Sequence, residues 1–281
     1  MPMSALPALA ALKDEIHLSQ RQIRTYLGCS LKYRLQYVEG LPMERVGISL
    51  IFGAAIHSAL ERYYRQLAFT ETEVPLEELQ EFFAENLSTR LEAEEAEVIY
   101  NKKDLTDKEA SVALGHAMLA AFHDGAKERL GGHKILGVEL PLGTELYDEN
   151  GFETGLLIIG VIDLLLQDQQ GNVIAIDHKT ASRAYQQADV ESDLQLSAYA
   201  YLLRDNLYAK VDQDIECGFD VLRKLKKPKV EPHRTRRTTE DIQRFHKTAL
   251  AVARGIESKA FMPNRSWACA ECSHRDACKD W

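Results

Sequence analysis

No apolar run in this chain of 281 residues approaches the roughly 20 that a membrane helix needs. The opening stretch, MPMSALPALAALKDE, has no basic leader and meets acid at Asp14, which argues against a secretion signal. The cytoplasm is the expected compartment, with no membrane partner. A phosphate loop of the G-x-x-x-x-G-K-S/T type is missing, and with it P-loop ATP hydrolysis, so any unwinding of a nucleic acid has to come from a partner. There is no internal repeat and no low-complexity tract. Positive charge is not in excess: 34 Lys and Arg against 43 Asp and Glu give −9, which argues against a protein that coats nucleic acid nonspecifically. A local patch that grips a few phosphates is still allowed, and RKLKKPKVEPHRTRR, from Arg223 to Arg237, is one. Cysteine is scarce and lopsided: Cys29 and Cys217 lie upstream, and Cys269, Cys272 and Cys278 crowd the end. Disulfide frameworks belong to shorter chains in oxidising compartments, whereas such a cluster in a cytosolic protein points to metal.

What is present is ample for a core, with 45% hydrophobic residues. Ser19 and Gln22 form a capping box, and Leu18 can staple onto Ile23. Apolar residues then recur at helical spacing to Val38, with Gly40 as a stop and Cys29 in mid-helix. The pattern predicts further helices near 50–67, carrying His57, and near 76–99 and 107–130. After Gly132 it switches to strands at about 134–142, 155–167 and 173–179. A helix at 190–204, strands at 215–222 and 229–236 and a helix at 240–257 complete it, and the tail from Ser258 is irregular. The order implies a mixed α/β core behind a helical N-terminal half.

The chemistry gathers on the strands. Asp163 interrupts GLLIIGVIDLLL, a run apolar enough to be buried on both faces, and a lone buried carboxylate is expensive unless paired or ligated. In VIAIDHKT, Asp177 and Lys179 share one face. Gly171 suits a hairpin turn, and if that turn centres on Gln170, Asp163 and Asp177 lie opposite each other, their Cβ atoms about 5 Å apart. Opposed carboxylates repel unless a divalent cation lies between them. The plainer alternative is a surface Asp177–Lys179 pair with Asp163 at a strand end. His57 follows Gly53 and Ala54 by one turn, so its helix can approach closely, although a lone helical His is more often structural. Gln195 and Tyr199 stand one turn apart on the helix after the acidic strand. Cys269-x2-Cys272-x5-Cys278 offers three corners of a metal site; on spacing alone zinc is as admissible as iron, with His274 a candidate ligand. The basic segment reads either as an edge protected by charge or as a DNA-backbone contact through Arg223, Lys224, Lys226, Lys227 and Lys229.

Taken in order, FGAAIHSALE, GVIDLLL, IDHKT, DLQLSAY and the cysteines resemble the PD-(D/E)XK nuclease superfamily, specifically its RecB-like iron–sulfur branch. Residues 76–130 match no motif of it. The resemblance implies an α/β, restriction-endonuclease-like mixed-sheet core with a helical N-terminal region and a C-terminal iron–sulfur clasp. Residues 1–16 would be a tail and 17–281 one nuclease domain, divided into a helical region (17–132), the α/β core (133–238) and the last helix with the clasp (239–281). It further implies that His57, Asp163, Asp177 and the main chain of His178 hold Mg²⁺ or Mn²⁺, with Glu139 a subordinate candidate. Lys179 would activate the attacking water, and Gln195 and Tyr199 would support Lys179 or orient DNA. AddB-type nucleases and the CRISPR-associated iron–sulfur exonucleases place one cysteine far upstream and three at the end. On that pattern Cys29, Cys269, Cys272 and Cys278 would hold a 4Fe–4S cluster of structural purpose. Ser30 stands where the family often has Pro. Cys217 reads as a small buried apolar residue. The implied activity is a DNA exonuclease acting on single strands or ends, in repair or CRISPR spacer acquisition, beside a helicase or a CRISPR integrase complex. The alternatives are a non-catalytic DNA-end-binding or assembly protein that keeps the fold, and a zinc-clasped protein with an unrelated core.

Overall fold

The computed structural model describes residues 9–14 and 16–281. In chain order the helices are α1 (Leu9–Asp14), α2 (Gln20–Gly28), α3 (Ser30–Tyr33), α4 (Ile48–Thr70), α5 (Leu76–Ala93), α6 (Lys108–His123), α7 (Ala126–Arg129), α8 (Gln187–Glu191), α9 (Leu194–Asp205) and α10 (Thr239–Glu257). The strands are β1 (His17–Ser19), β2 (Arg45–Gly47), β3 (Glu97–Ile99), β4 (Lys134–Tyr147), β5 (Glu153–Gln167), β6 (Val173–Ala181), β7 (Ile215–Arg223) and β8 (Lys229–Arg237). Among the described residues no helix is long and apolar enough to cross a membrane.

The 15 residues of β5 offer more edge than one neighbour fills. Along one edge runs β4, antiparallel. The other edge is shared: β1 pairs with Leu157–Ile159 in parallel, and β6 pairs antiparallel with 164–167. Between them, residues 160–163 have no ladder partner on that side. The sheet continues through β7, parallel to β6, to β8, antiparallel to β7. The turn is centred on Gln170, as the pairs Gln167↔Val173 and Leu164↔Ile176 require, and Gly171 takes the left-handed φ of 88°.

Helices cover both faces. Toward α2, α9 and α10 point Ile158, Ile162, Leu165 and Ala175; toward α4, α5 and α6 point Leu164, Leu166, Ile174 and Ile176. Ile162 and Leu164 are two apart and should share a face, yet they enter opposite cores. On β4 the same reversal separates Val138 from Leu140. Its backbone cause is Glu139, whose φ of 48° is left-handed in mid-strand.

Several expected elements change shape. The first helix breaks at Cys29, which is extended (φ −163°, ψ 104°), and resumes as α3 and a π-helical turn over Arg34–Val38. The expected helix at 76–99 ends at Ala93, because Glu97–Ile99 becomes β3 and pairs with β2. That at 190–204 divides at Asp193, whose carboxylate accepts from the Gln195 amide (2.7 Å) and starts α9 afresh. Much of the expected tail, residues 1–8 and Glu15, lies outside the described residues, but Leu9–Asp14 is helical, and Leu12 packs against Gly143 of β4.

The motif-free insertion is held by its own packing. A Cβ on Gly115 of α6 would lie 2.0 Å from the ring of Phe83, which is fully buried on α5. Gly115→Ala is therefore expected to lose about 1–3 kcal/mol, despite alanine's better helix propensity. Urea unfolding reads this directly; an unchanged midpoint would refute the packing.

Candidate active site

Close approach of α4 to the sheet is what creates a site. Gly53 faces β6, where a Cβ would touch Thr180 Oγ1 at 3.6 Å. One turn later His57 stands over β5, its Nδ1 3.2 Å from Asp163 Oδ2. Across the sheet, Glu139 is the β4 residue opposite Asp163, between the pairs Val138↔Leu164 and Leu140↔Ile162. Donor atoms of His57, Glu139 and Asp163 all lie within 4.8 Å of one another. A left-handed non-glycine residue costs on the order of 1–3 kcal/mol and persists where its surroundings over-determine it. An imidazole and two carboxylates, partly screened from water, are a donor set that fits a divalent cation such as Mg²⁺ or Mn²⁺. Burial and the neighbouring Asp163 push the Glu139 carboxyl up to about 7.

The two aspartates are held differently. The β5–β6 ladder stops one pair short of Asp163 and Asp177, and Asp163 Oδ2 accepts the His178 amide instead (2.8 Å). Burial would raise its carboxyl, but His178 and His57 override this and hold it below the usual carboxylate range. Asp177 turns toward α9: Gln195 Nε2 (2.5 Å) and Tyr199 Oη (2.8 Å) donate to its Oδ1, while the Lys179 ammonium lies 2.8 Å from Oδ2. Burial and Asp163 push the Asp177 carboxyl up. Lys179 also donates to Gln195 Oε1 (2.7 Å). Burial would release its proton, but Asp177 and Asp163 win and raise its pKa, so Lys179 stays a cation. The Tyr199 phenol is raised far above its ordinary value by burial and by Asp177, and it remains a donor. His178 is buried and stacked on Tyr64, with ring centroids 5.4 Å apart.

Thus the expected residues meet, but in a different grouping. Glu139 joins His57 and Asp163, whereas Asp177 is engaged by Lys179, Gln195 and Tyr199. Two supports escaped sequence reasoning. Arg24 on α2 pairs with Asp193 (2.8 Å), and buried Arg237 donates to the carbonyls of Val190 (2.8 Å) and Asp193 (3.1 Å). Together they hold the start of α9, which carries Gln195 and Tyr199. The Asp-x-x start of α9 was a readable cap; nothing local marked Arg237 for burial.

The basic segment is largely committed to the fold. Arg223 is buried, bound to Glu231 (2.5 Å) and to the Ser182 carbonyl (3.2 Å), so it is not presented to a ligand. Lys229 pairs with the same Glu231 (2.7 Å), and Lys224 is half-buried over Phe52. Lys226 and Lys227 are exposed at the β7–β8 turn.

Cys29 and the last segment meet at a second site. Cys29, Cys269, Cys272 and Cys278 line one cavity of about 340 Å³. Burial and the three neighbouring thiols raise the Cys278 thiol. Cys29 Sγ accepts from the Asn264 amide (3.4 Å) and Cys269 Sγ from the Ser266 amide (3.3 Å). Ser30 stitches the segments together: its hydroxyl accepts from the Met262 amide (2.9 Å), while the Leu31 amide donates to the Met262 carbonyl (3.1 Å). Cys217 stays apart, buried in β7 with its thiol pushed up to about 12.

Residues 17–279 match the family model of the PD-(D/E)XK nuclease superfamily. The chain is similar to a crystal structure from Eubacterium rectale named "Putative exonuclease", with 13% identity, a TM-score of 0.53 and coverage of 98% of this chain and 92% of that one. At that identity the likeness bears on the fold alone. The crystal structure of SSO0001 aligns over 87% of this chain and 91% of its own, at 13% identity and a TM-score of 0.36. No curated protein matches at a significant level.

Cation uptake by His57, Glu139 and Asp163 requires the Glu139 proton to leave. Because that carboxyl is raised to about 7, Mn²⁺ affinity should climb with pH up to about 7, by as much as about tenfold per unit, then level off. Calorimetric titration across that range tests this. Glu139→Gln should flatten the climb, and a flat wild-type profile would exclude Glu139 as a ligand.

Proposed function

The chain belongs to the PD-(D/E)XK nuclease superfamily, and from that premise we propose that it is a divalent-metal-dependent DNA exonuclease, acting on single strands or DNA ends and braced by a 4Fe–4S cluster. The observation that carries this reading is the convergence of His57, Glu139 and Asp163 beside a lysine kept charged by Asp177. His57, Glu139 and Asp163 would hold Mg²⁺ or Mn²⁺, with Asp177 and the main chain of His178 completing the set. When bound, the metal supplies a lowered pKa for the attacking water and polarises the phosphate.

The chain's own residues do the rest. Lys179, fixed by Asp177 Oδ2 and Gln195 Oε1, positions the water through its N–H groups and offsets the negative charge that grows on the phosphate oxygens. Asp177 and Asp163 favour its charged form, which suits this electrostatic part. Gln195 bridges Lys179 and Asp177, and Tyr199 donates to the same Asp177 Oδ1 that Gln195 holds, which fixes the carboxylate. His178, packed on Tyr64, follows Asp177 on β6 and gives its amide to Asp163, which ties the two strands at the site.

For the second site, Cys29, Cys269, Cys272 and Cys278 gather at one cavity, a set of four thiols that suits a cluster. Its position between α2 and the last segment assigns it a bracing role, since the cleavage of a phosphodiester needs no electrons. Lacking a P-loop, the chain would work beside a helicase or a CRISPR integrase complex, in repair or in spacer acquisition.

Asp177→Ala should abolish cleavage of labelled single-stranded DNA with Mg²⁺ or Mn²⁺, by at least about a hundredfold, while DNA binding and bound iron persist. Retained cleavage would remove Asp177 from the site, and a wild type that binds DNA without cutting it would favour an end-binding protein. For the clasp, anaerobically purified wild type should be brown and carry iron. Cys29→Ser should lower the iron content and expose the segment after Ser258 to protease; a colourless wild type with one zinc would overturn the cluster.

A further inference from the structure

We propose that the outer rim of the cysteine cavity binds single-stranded DNA, with Trp267 as a stacking platform and Arg24, Lys32, Arg265 and Arg275 as phosphate contacts. The proposal rests on the nuclease reading and adds to it a path for the substrate. The first observation is charge. Although the chain carries −9 overall, the side chains lining this cavity include those four cations and no Asp or Glu. Arg265 and Arg275 are exposed and have no ion-pair partner among the described residues, and Lys32 is half-exposed beside them. Arg24 is paired with Asp193, but among the described residues Lys32, Arg265 and Arg275 are not, and together they form a local positive patch that attracts anions.

The second observation is the indole. Trp267 is 90% exposed on the short 3₁₀ turn Trp267–Glu271, directly on the rim. A large ring left in water beside guanidinium groups is what recognition of an unpaired base requires: a flat apolar face for stacking and cations for the neighbouring phosphates. Base pairs in a duplex keep their faces covered by their neighbours, so this geometry suits a single strand.

The third is position. Arg24 lines the rim, and its guanidinium reaches Asp193, the cap of α9. Gln195 and Tyr199 on that helix hold Asp177. A strand whose backbone passes Arg24 is therefore led to the helix start that borders the candidate catalytic carboxylates.

The test uses the full-length, iron-loaded protein with no divalent cation added, so that binding is measured without cleavage. Anisotropy of a labelled oligo-dT is followed against salt, beside a duplex and an RNA of equal length. Trp267→Ala is expected to weaken oligo-dT binding about fivefold or more, and Trp267→Phe to restore most of it. The double variant Arg265→Ala/Arg275→Ala should reduce the salt slope by about 1.4, the value for two lost contacts to a single strand. In a Trp281→Phe background Trp267 is the sole tryptophan, and its emission should be quenched by oligo-dT. Wild-type affinity in the Trp267 and arginine variants would overturn the proposal. So would tighter binding of the duplex or the RNA, or loss of iron from the arginine variants with DNA affinity intact, which would make the cations counter-charges for the cluster. Failure of the nuclease reading looks different: metal-loaded wild type would then cut no DNA while Trp267→Ala still weakened binding.

Discussion

A carboxylate sunk in a sheet must be matched by donors, and Asp163 finds its match at a break in the sheet. Because β1 and β6 divide one edge of β5, residues 160–163 lack a ladder partner there, and the His178 amide goes to the Asp163 side chain. Much else depends on that substitution. With the ladder ended at Ile176, Asp177 is left to α9, which has to bring Gln195 and Tyr199 to it. On the opposite face α4 must come close enough for His57 to reach Asp163, and Gly53 allows this. The phase reversal at Glu139 delivers a third carboxyl to the same place. Pairing the edge continuously would bury Asp163 without a donor and remove the notch.

The electrostatics of the notch are deliberately unbalanced. Three carboxyls, Glu139, Asp163 and Asp177, lie together; His57 and His178 face Asp163, and the Lys179 ammonium is taken by Asp177. The rise of the Glu139 carboxyl to about 7 comes first from its burial and then from Asp163 beside it, and a cation bound there would displace that proton. The state of Lys179 is fixed because surrounding carboxylates outweigh its burial.

Sequence made the strands, their order and the hairpin register legible because those features are local: apolar runs, a mid-run aspartate, a glycine at the turn. The small residues before His57 likewise announced a close helix, and DLQLSAY announced a polar face on α9. What escaped was set by distant partners. Glu139 looked subordinate because alternation in GVELPL says nothing of a left-handed backbone at that residue. The helix break at Cys29 was hidden because the apolar spacing runs unbroken from Ile23 to Val38; residues 262–264, which bond to Cys29, Ser30 and Leu31, are more than 230 positions away. Arg223 read as a cation for DNA, and Arg237 as the end of the same basic segment, because charge on a strand is normally solvated, yet both are buried and bound to carbonyls or a carboxylate.

The stitching of Ser30 and Leu31 to Met262 also sets an order of events during synthesis. A ribosome adding roughly 5–20 residues per second leaves α2 and α3 waiting about ten to fifty seconds for the segment that completes them. Until then α2, which carries Arg24 to Asp193, is seated by Ile23 in the main core and not yet by the last segment. The contacts that seat α2 and α3 are thereby completed only after every element of the sheet and of the candidate site has been made.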